Sequence, residues 1–141
     1  MRRFALLTAL ACVLSIPVLA AQAQAPAQPA KYVAPVKGGA TIEAIQNSKR
    51  VGKEMVTVVK VRNTSKGALN LLKADEYWYD KNMKIVTGAQ YAHKKAPIQP
   101  GEIVEFTLRS PIHPGPEPTR NQIQFRHAYG DAKATGVKAF K

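Results

Sequence analysis

The strongest constraint on the fold is a series of short segments in which apolar and polar residues alternate. "QPGEIVEFTLR" (99–109) begins with a Pro-Gly turn, and Val104, Phe106 and Leu108 then alternate with polar residues. "NQIQFRHAY" (121–129) repeats this pattern. Because successive side chains of a strand point to opposite faces, a period of two is typical of half-buried β-strands.

Five further segments from residue 40 onward read in the same way. Each is bounded by Gly, Pro, Asn or Asp residues that favour turns, and none has a sustained helical period. They are residues 41–47, 55–63, 71–80, 84–92 and 135–140. About seven short strands at near-regular spacing predict an all-β fold, an antiparallel β-sandwich over residues 40–141, which the resemblance given below makes immunoglobulin-like.

The N-terminal segment is typical of a secretory signal peptide. Arg2 and Arg3 precede an apolar run from Phe4 to Ala20, and small residues follow in an Ala-x-Ala pattern that predicts cleavage after Ala23. An uncleaved anchor is the alternative, because an apolar run of about 20 residues can span a bilayer. We expect residues 1–23 to be removed and the mature chain to be periplasmic or extracellular.

Between the signal peptide and the first strand, residues 24–39 are rich in Ala, Gln, Pro and Gly, which predicts a flexible linker. The single cysteine, Cys12, lies in the signal peptide. The mature chain would therefore contain no disulfide, no thiolate nucleophile and no cysteine metal site.

The chain is strongly basic, with a formal net charge of +12, and removal of Arg2 and Arg3 would leave +10 (12 − 2). Such a charge attracts anionic lipid headgroups, acidic glycans, cell-wall polymers and nucleic acid. The alternative is an ordinary solvated basic surface, since the lysines are scattered along the chain. We expect a protein or an anionic envelope polymer as partner, with no specific nucleic-acid recognition and no membrane span after cleavage.

Catalytic motifs are missing from the sequence. It has no Gly-x-Ser-x-Gly, no phosphate-binding glycine loop and no His-Glu-x-x-His. Asp75 and Glu76 are adjacent, so on a strand they point to opposite faces and cannot act as a pair. His93, His113 and His127 lack metal-ligand spacing, and we interpret them as three unrelated surface histidines. The sequence predicts no catalytic residue, no cofactor and no metal.

The segment "DEYWYD" (75–80) contains the only tryptophan. Alternation places Trp78 and Glu76 on one face of the strand, and we expect Trp78 in the core. Glu76 would then be partly buried and hydrogen-bonded to His127 or to a tyrosine hydroxyl, with Trp78 near Ile123 or Phe125. Asp80 is expected to cap the following turn.

The opposite face of this strand is the predicted ligand-binding surface. Tyrosine and arginine are enriched where proteins bind, and amides of the neighbouring strand point to the same side. The six residues are Lys73, Tyr77, Tyr79, Gln122, Gln124 and Arg126. The alternative is an ordinary solvated sheet face, because tyrosine is a good strand former.

The loop 110–120, "SPIHPGPEPTR", has four prolines that favour an extended, stiff backbone. It is either a rigid recognition loop at one end of the fold or a stiff crossover between strands, and the second interpretation is favoured.

Three segments, "VKVRNTS", "EYWYDKNMKIV" and "IQPGEIVEFTL", resemble the FxLYD domain, an immunoglobulin-like module of exported bacterial and archaeal proteins. The resemblance covers residues 51–108, with Trp78, Tyr79 and Asp80 at the Leu-Tyr-Asp positions and Glu76 at the family's phenylalanine. Asn63 and Pro100-Gly101-Glu102 match as well. The resemblance implies the fold and no activity.

Taken with the absent catalytic motifs, these features predict an exported, non-catalytic binding or assembly module of the cell envelope. The alternatives are a basic module that binds polyanions or cell wall, and a small enzyme of unknown type.

Overall fold

A computed structural model describes residues 31–141, which form seven β-strands and no helix. The all-β prediction is confirmed. The strands are β1 (Ala40–Val51), β2 (Glu54–Asn63), β3 (Lys73–Tyr79), β4 (Ile85–Ala92), β5 (Ile103–Pro111), β6 (Arg120–His127) and β7 (Gly130–Gly136). Over these residues, nothing helical is present that has the length and apolar character needed to cross a membrane.

The predicted signal peptide and the first part of the predicted linker lie outside the described residues. The last part of that linker contacts the folded unit. Val36 N donates to Ala68 O at 3.0 Å, and Ala68 N donates to Ala34 O at 3.0 Å. Gly67 permits this approach, because a Cβ there would lie 2.7 Å from Ala34 O. Residues 34–36 are therefore bonded to the folded unit although they precede β1.

The strands form one continuous sheet in the order β4-β3-β6-β7-β1-β2-β5. Neighbouring strands are antiparallel except β1 and β7, which are parallel. The sheet curves so that its edge strands, β4 and β5, pack against each other, and Tyr91 stacks on Phe106 with ring centroids 4.0 Å apart. The result is a nearly closed, barrel-like sheet, and the expected division into two face-to-face sheets is not confirmed.

The interior follows from the alternation seen in the sequence. On β5, Phe106 and Leu108 are buried while Glu105 and Thr107 are exposed, as the pattern predicted. A single apolar cluster fills the inside of the sheet and takes residues from all strands but β4. Its buried members are Ala40, Ile42, Ala44, Val59, Val61, Leu69, Leu72, Ala74, Ile98, Phe106, Leu108, Phe125 and Ala132.

The last strand differs from the prediction. It spans Gly130–Gly136, not residues 135–140. Only Ala128 and Tyr129 separate it from β6, and His127 pairs directly with Gly130, whose φ is +156°. Glycine tolerates this backbone conformation, so the chain reverses earlier than the Gly-Asp signal indicated. After three residue pairs with β6, β7 continues beside β1.

One end of the sheet, the closed end (residues 63–72 and 93–102), is covered by two mutually bonded loops. Leu69 and Ile98 exchange backbone hydrogen bonds of 2.9 and 3.0 Å. The fully buried Asn63 fixes both loops, because its Nδ2 donates to Gly67 O and Ile98 O while its Oδ1 accepts from Ser65 N. Asn63 therefore ends β2 and holds the covering loops, with all of its side-chain hydrogen-bonding atoms engaged.

Candidate binding face

The register between β3 and β6 places the six predicted ligand-binding residues on one outer surface, which we call the binding face (Lys73, Tyr77, Tyr79, Gln122, Gln124 and Arg126). Lys73 lies opposite Arg126, and Tyr77 lies opposite Gln122. Tyr79 Oη donates to Gln122 Oε1 at 3.4 Å. Both tyrosines are half-buried and the other four side chains are exposed. The geometry makes one continuous surface, and its role in binding stays a prediction.

The arginine of the binding face already has a partner within the chain. The Arg126 guanidinium donates to Asp75 Oδ2, and the Asp75 side chain is almost fully buried beneath it. The hydrogen bond to Asp75, together with the attraction of its charge, raises the pKa of Arg126 above its ordinary value. Arg126 thus pairs with a buried carboxylate of its own chain, and its exposed side is still accessible to a partner.

A depression adjoins Tyr77 on the β4 side, beside Gly88, which has no side chain. Tyr77 pairs with Gly88, and a Cβ at Gly88 would lie 2.2 Å from Glu76 O. A cavity of about 490 Å³ results, with Thr87 and Gln90 in its walls. The sequence analysis did not include Gly88 in the site, although a glycine inside a strand often marks a close backbone approach.

The inward face of β3 carries Trp78, 4% exposed, and Glu76, 2% exposed. The predicted orientation of the strand is therefore confirmed, and so is the burial of Glu76. Its predicted partners are wrong. Thr57 Oγ1 donates to Glu76 Oε1 at 2.5 Å, Ser110 Oγ donates to Oε2 at 2.7 Å, and Asn121 Nδ2 donates to Oε1 at 2.9 Å.

The reason is that the pairing of β3 with β6 is shifted by two residues from one expected register and by four from the other. Glu76 lies opposite Ile123 and Trp78 lies opposite Asn121, where we expected Trp78 near Ile123 or Phe125. A shift of two keeps every side chain on its face, so alternation cannot detect it. Phe125 instead lies opposite Ala74, where a small residue leaves room for the ring.

The hydrogen bonds around Glu76 form a closed ring that reaches the surface. Asn121 donates to Ser48 Oγ at 3.1 Å as well as to Glu76. Thr57 gives its hydroxyl hydrogen to Glu76, so in the 2.8 Å contact between Ser48 and Thr57 the donor is Ser48. The ring joins β1, β2, β3 and β6, and Ser110 adds β5. Glu76 thus holds five strands at one level of the interior.

Asp80 closes the turn after β3, as predicted. Its Oδ1 accepts from Asn82 N at 2.8 Å and from Lys84 N at 3.0 Å, and its own amide donates to Lys84 O. Met83 completes the turn with φ at +60°. Because the buried carboxylate is used by the backbone, its role here is to shape the turn.

Two of the three histidines are not surface residues, contrary to the prediction. His93 and His127 are buried; His93 contacts Tyr91 Oη and Ala96 O, and His127 Nε2 contacts Gly38 O at 2.7 Å. His113 is exposed in the proline-rich loop. Across residues 31–141, no group of three or more His, Cys, Asp or Glu side chains is placed to hold a metal ion.

No family model matches the chain, and no curated protein matches it. The function must therefore be argued from the geometry of the residues described above.

Proposed function

We propose that the chain is an exported, non-catalytic binding or assembly module of the cell envelope and that the binding face is where its partner docks. The observation that supports this most is the alignment of two half-buried tyrosines with exposed amides and cations across β3 and β6. Tyrosine contributes a large apolar body with a polar tip, and arginine pairs with carboxylate or phosphate. Over residues 31–141, no helix covers this face.

The charge distribution supports an anionic partner. Nineteen of the lysines and arginines lie in residues 31–141 (21 less Arg2 and Arg3), and five of them form ion pairs. The other fourteen (19 − 5) are outside these pairs, whereas five of the nine acidic residues are in them. A surface that neutralises its own acids and leaves its bases free attracts acidic proteins or anionic polymers.

This same excess favours a second candidate function, a basic module that binds polyanions or cell wall through charge alone. Such binding needs no tyrosine and falls steeply as salt rises, because exposed charges are screened over about 10 Å at 0.1 M salt. Salt dependence and tyrosine dependence therefore separate the two functions.

We also propose that the fold is related to the immunoglobulin-like FxLYD domains and follows a cleaved signal peptide. The roles of the motif residues support the relationship. Asn63 O accepts from Gly101 N at 2.7 Å, Glu102 Oε2 accepts from Gln99 N at 2.7 Å, and Asp80 caps its turn. Mass spectrometry of the exported protein tests the signal peptide: a chain that begins near Gln24 and carries no lipid is expected, and one that retains an acylated Cys12 contradicts it.

The binding face is tested with the double variant Tyr79→Ala/Gln124→Ala, measured as retention on envelope extract at low and high salt. Arg126 is left intact, since its loss would also remove the partner of buried Asp75. We expect roughly ten-fold weaker retention, equivalent to about 1.4 kcal/mol, with little change in the melting temperature.

The matched control is Tyr129→Ala/Gln46→Ala, which removes the same residue types from exposed positions elsewhere. It should retain the partner like the unmodified chain. If the Tyr79→Ala/Gln124→Ala variant is retained like the unmodified chain and the retention of both proteins falls as salt rises, charge alone explains the binding. If the variant is retained normally at low and at high salt, the proposed binding face is wrong.

A further inference from the structure

The outer edge of β4 is an unpaired sheet edge. β4 hydrogen-bonds to β3 on one side, and on the other it packs against β5 without pairing. Edge strands are usually protected from further pairing by lysines or prolines. The eight residues of β4, "IVTGAQYA", contain no charged residue and no proline. This edge therefore lacks the charged residues and prolines that usually prevent further pairing, and its backbone groups are not hydrogen-bonded to β5.

An apolar cavity of about 280 Å³ lies beside the first residues of β4, at the end of the sheet opposite the closed end. We call this the open end (residues 80–84 and 112–119). The cavity lies between β4 and the proline-rich loop, and its apolar walls are Ile85, Val86, Ile112, Pro114, Pro116 and Pro118. Ile85 is 59% exposed although it is a large aliphatic residue. Because prolines are stiff, the walls lose little entropy when an apolar side chain enters.

Lysines outnumber acidic residues around this cavity, although Asp80 is one of its lining residues. Lys81 and Lys84 lie on the β3–β4 turn, and Lys53 is joined to the other wall because its carbonyl accepts from Ile112 N at 2.8 Å. None of the three is in an ion pair, whereas the nearby Glu117 is paired with Arg50 at 2.8 Å. Asp80 is committed to its turn. The cavity thus has an apolar floor and a cationic rim.

We infer that the edge of β4 and this cavity form a peptide-binding site, which adjoins the depression beside Tyr77 but uses none of the six residues of the binding face. Its occupant is an extended segment of a partner protein in which apolar and acidic residues alternate. The segment pairs as an added strand along Ile85–Gly88, places an apolar side chain in the cavity and directs carboxylates toward Lys81 and Lys84. Backbone hydrogen bonds of this kind give affinity, and the pocket for alternate side chains gives specificity.

The probe for this site is a capped octapeptide of alternating valine and aspartate, titrated into the isotope-labelled protein. We expect saturable binding in which the shifted amide signals belong to residues 84–88 and to the non-proline residues of 112–118. The variant Ile85→Asp should weaken binding by roughly ten-fold or more, since it puts a carboxylate at the mouth of the cavity.

Ile103→Asp is the matched control. Ile103 is also the first residue of a strand and is 48% exposed, but it lies at the closed end. The Ile103→Asp variant introduces the same charge, so its affinity for the peptide should stay within about two-fold of that of the unmodified protein. Equal weakening by both variants would show that only net charge matters and would overturn the site.

Two altered peptides test the strand pairing and the charge. A version of the peptide that is N-methylated at every second residue cannot donate backbone hydrogen bonds along one of its edges. It should bind at least roughly ten-fold more weakly than the unmethylated peptide. A valine-lysine version should also bind more weakly. Unchanged affinity for the methylated peptide, or absence of binding by the first peptide, overturns the proposal. The Tyr79→Ala/Gln124→Ala variant should bind this peptide normally, which keeps the result independent of the binding face.

Discussion

The closed end and the open end of the same sheet are built differently. At the closed end, Leu69, Leu72 and Ile98 are fully buried, and Asn63 ties the covering loops to one another. At the open end, a cavity with a cationic rim lies above the level at which Glu76 gathers its hydrogen bonds. Local stability varies across a fold, and binding loops need a rigid scaffold. Here the closed end supplies that scaffold, and the open end leaves surface for recognition.

The largest effect is expected from Leu72→Ala at the closed end. Leu72 has no exposed surface, so the truncation leaves a cavity among buried neighbours and should lower the free energy of unfolding by about 3–4 kcal/mol. Urea denaturation measures this. The comparison variant is Ile112→Ala in the wall of the open cavity, where a loss below about 1 kcal/mol is expected. Equal losses would remove the distinction between the two ends.

Glu76→Ala should come next, with a loss of about 2–3 kcal/mol, because three interior donors would lose their acceptor. Glu76→Gln is the control, since its amide oxygen still accepts hydrogen bonds and its shape is the same. We expect it to recover part of the stability in the same urea titration. If Glu76→Ala is as stable as the unmodified chain, the ring of hydrogen bonds does not hold the strands together.

Arg126→Ala is expected to destabilise the protein less than Glu76→Ala, because one face of Arg126 is open to water. The loss arises from Asp75, whose buried carboxylate would have no cation. Melting temperatures of Arg126→Ala, Asp75→Asn and the double variant form a cycle. The double variant should be more stable than the Arg126→Ala single variant, and additive effects would mean that the pair does not interact.

The smallest expected effect is a gain in stability. Met83 is exposed in the turn at the open end and has φ at +60°, a conformation that costs most residues energy but suits glycine. Met83→Gly should raise the free energy of unfolding by about 0.5–1 kcal/mol, measured by urea denaturation. Leu71→Gly provides the parallel case at the closed end, with φ at +51°. A loss of stability in Met83→Gly would show that the methionine side chain itself supports the turn.

Alternation along the chain carries information about faces but little about neighbours. It placed Trp78 and Glu76 inside and the binding face outside, because side-chain direction depends only on the strand's own period. The partners of Glu76 come from β2, β5 and β6, which are far away in the sequence, and a register shift of two leaves the pattern unchanged. The sequence analysis also did not predict a single continuous sheet. That continuity depends on the pairing of β1 with β7, which are far apart in the sequence.

Parts of the candidate sites were open to prediction and parts were not. The six residues of the binding face could be grouped because β3 and β6 were expected to pair. Asp75 was placed on that face, but its pairing with Arg126 depends on register. The four prolines identified a stiff loop, yet the cavity exists only because that loop passes beside β4.

The parallel pairing of β1 with β7 also determines when the protein can fold. The first and last strands are neighbours, and the hydrogen bond from His127 to Gly38 joins residues 89 positions apart. Contacts of such high sequence separation make folding slow, since the entropy of closing the chain is lost before the contacts form. The sheet cannot be completed until residues 130–136 have been synthesised. A nascent chain therefore lacks the pairing that joins its first and last strands until its synthesis is nearly finished.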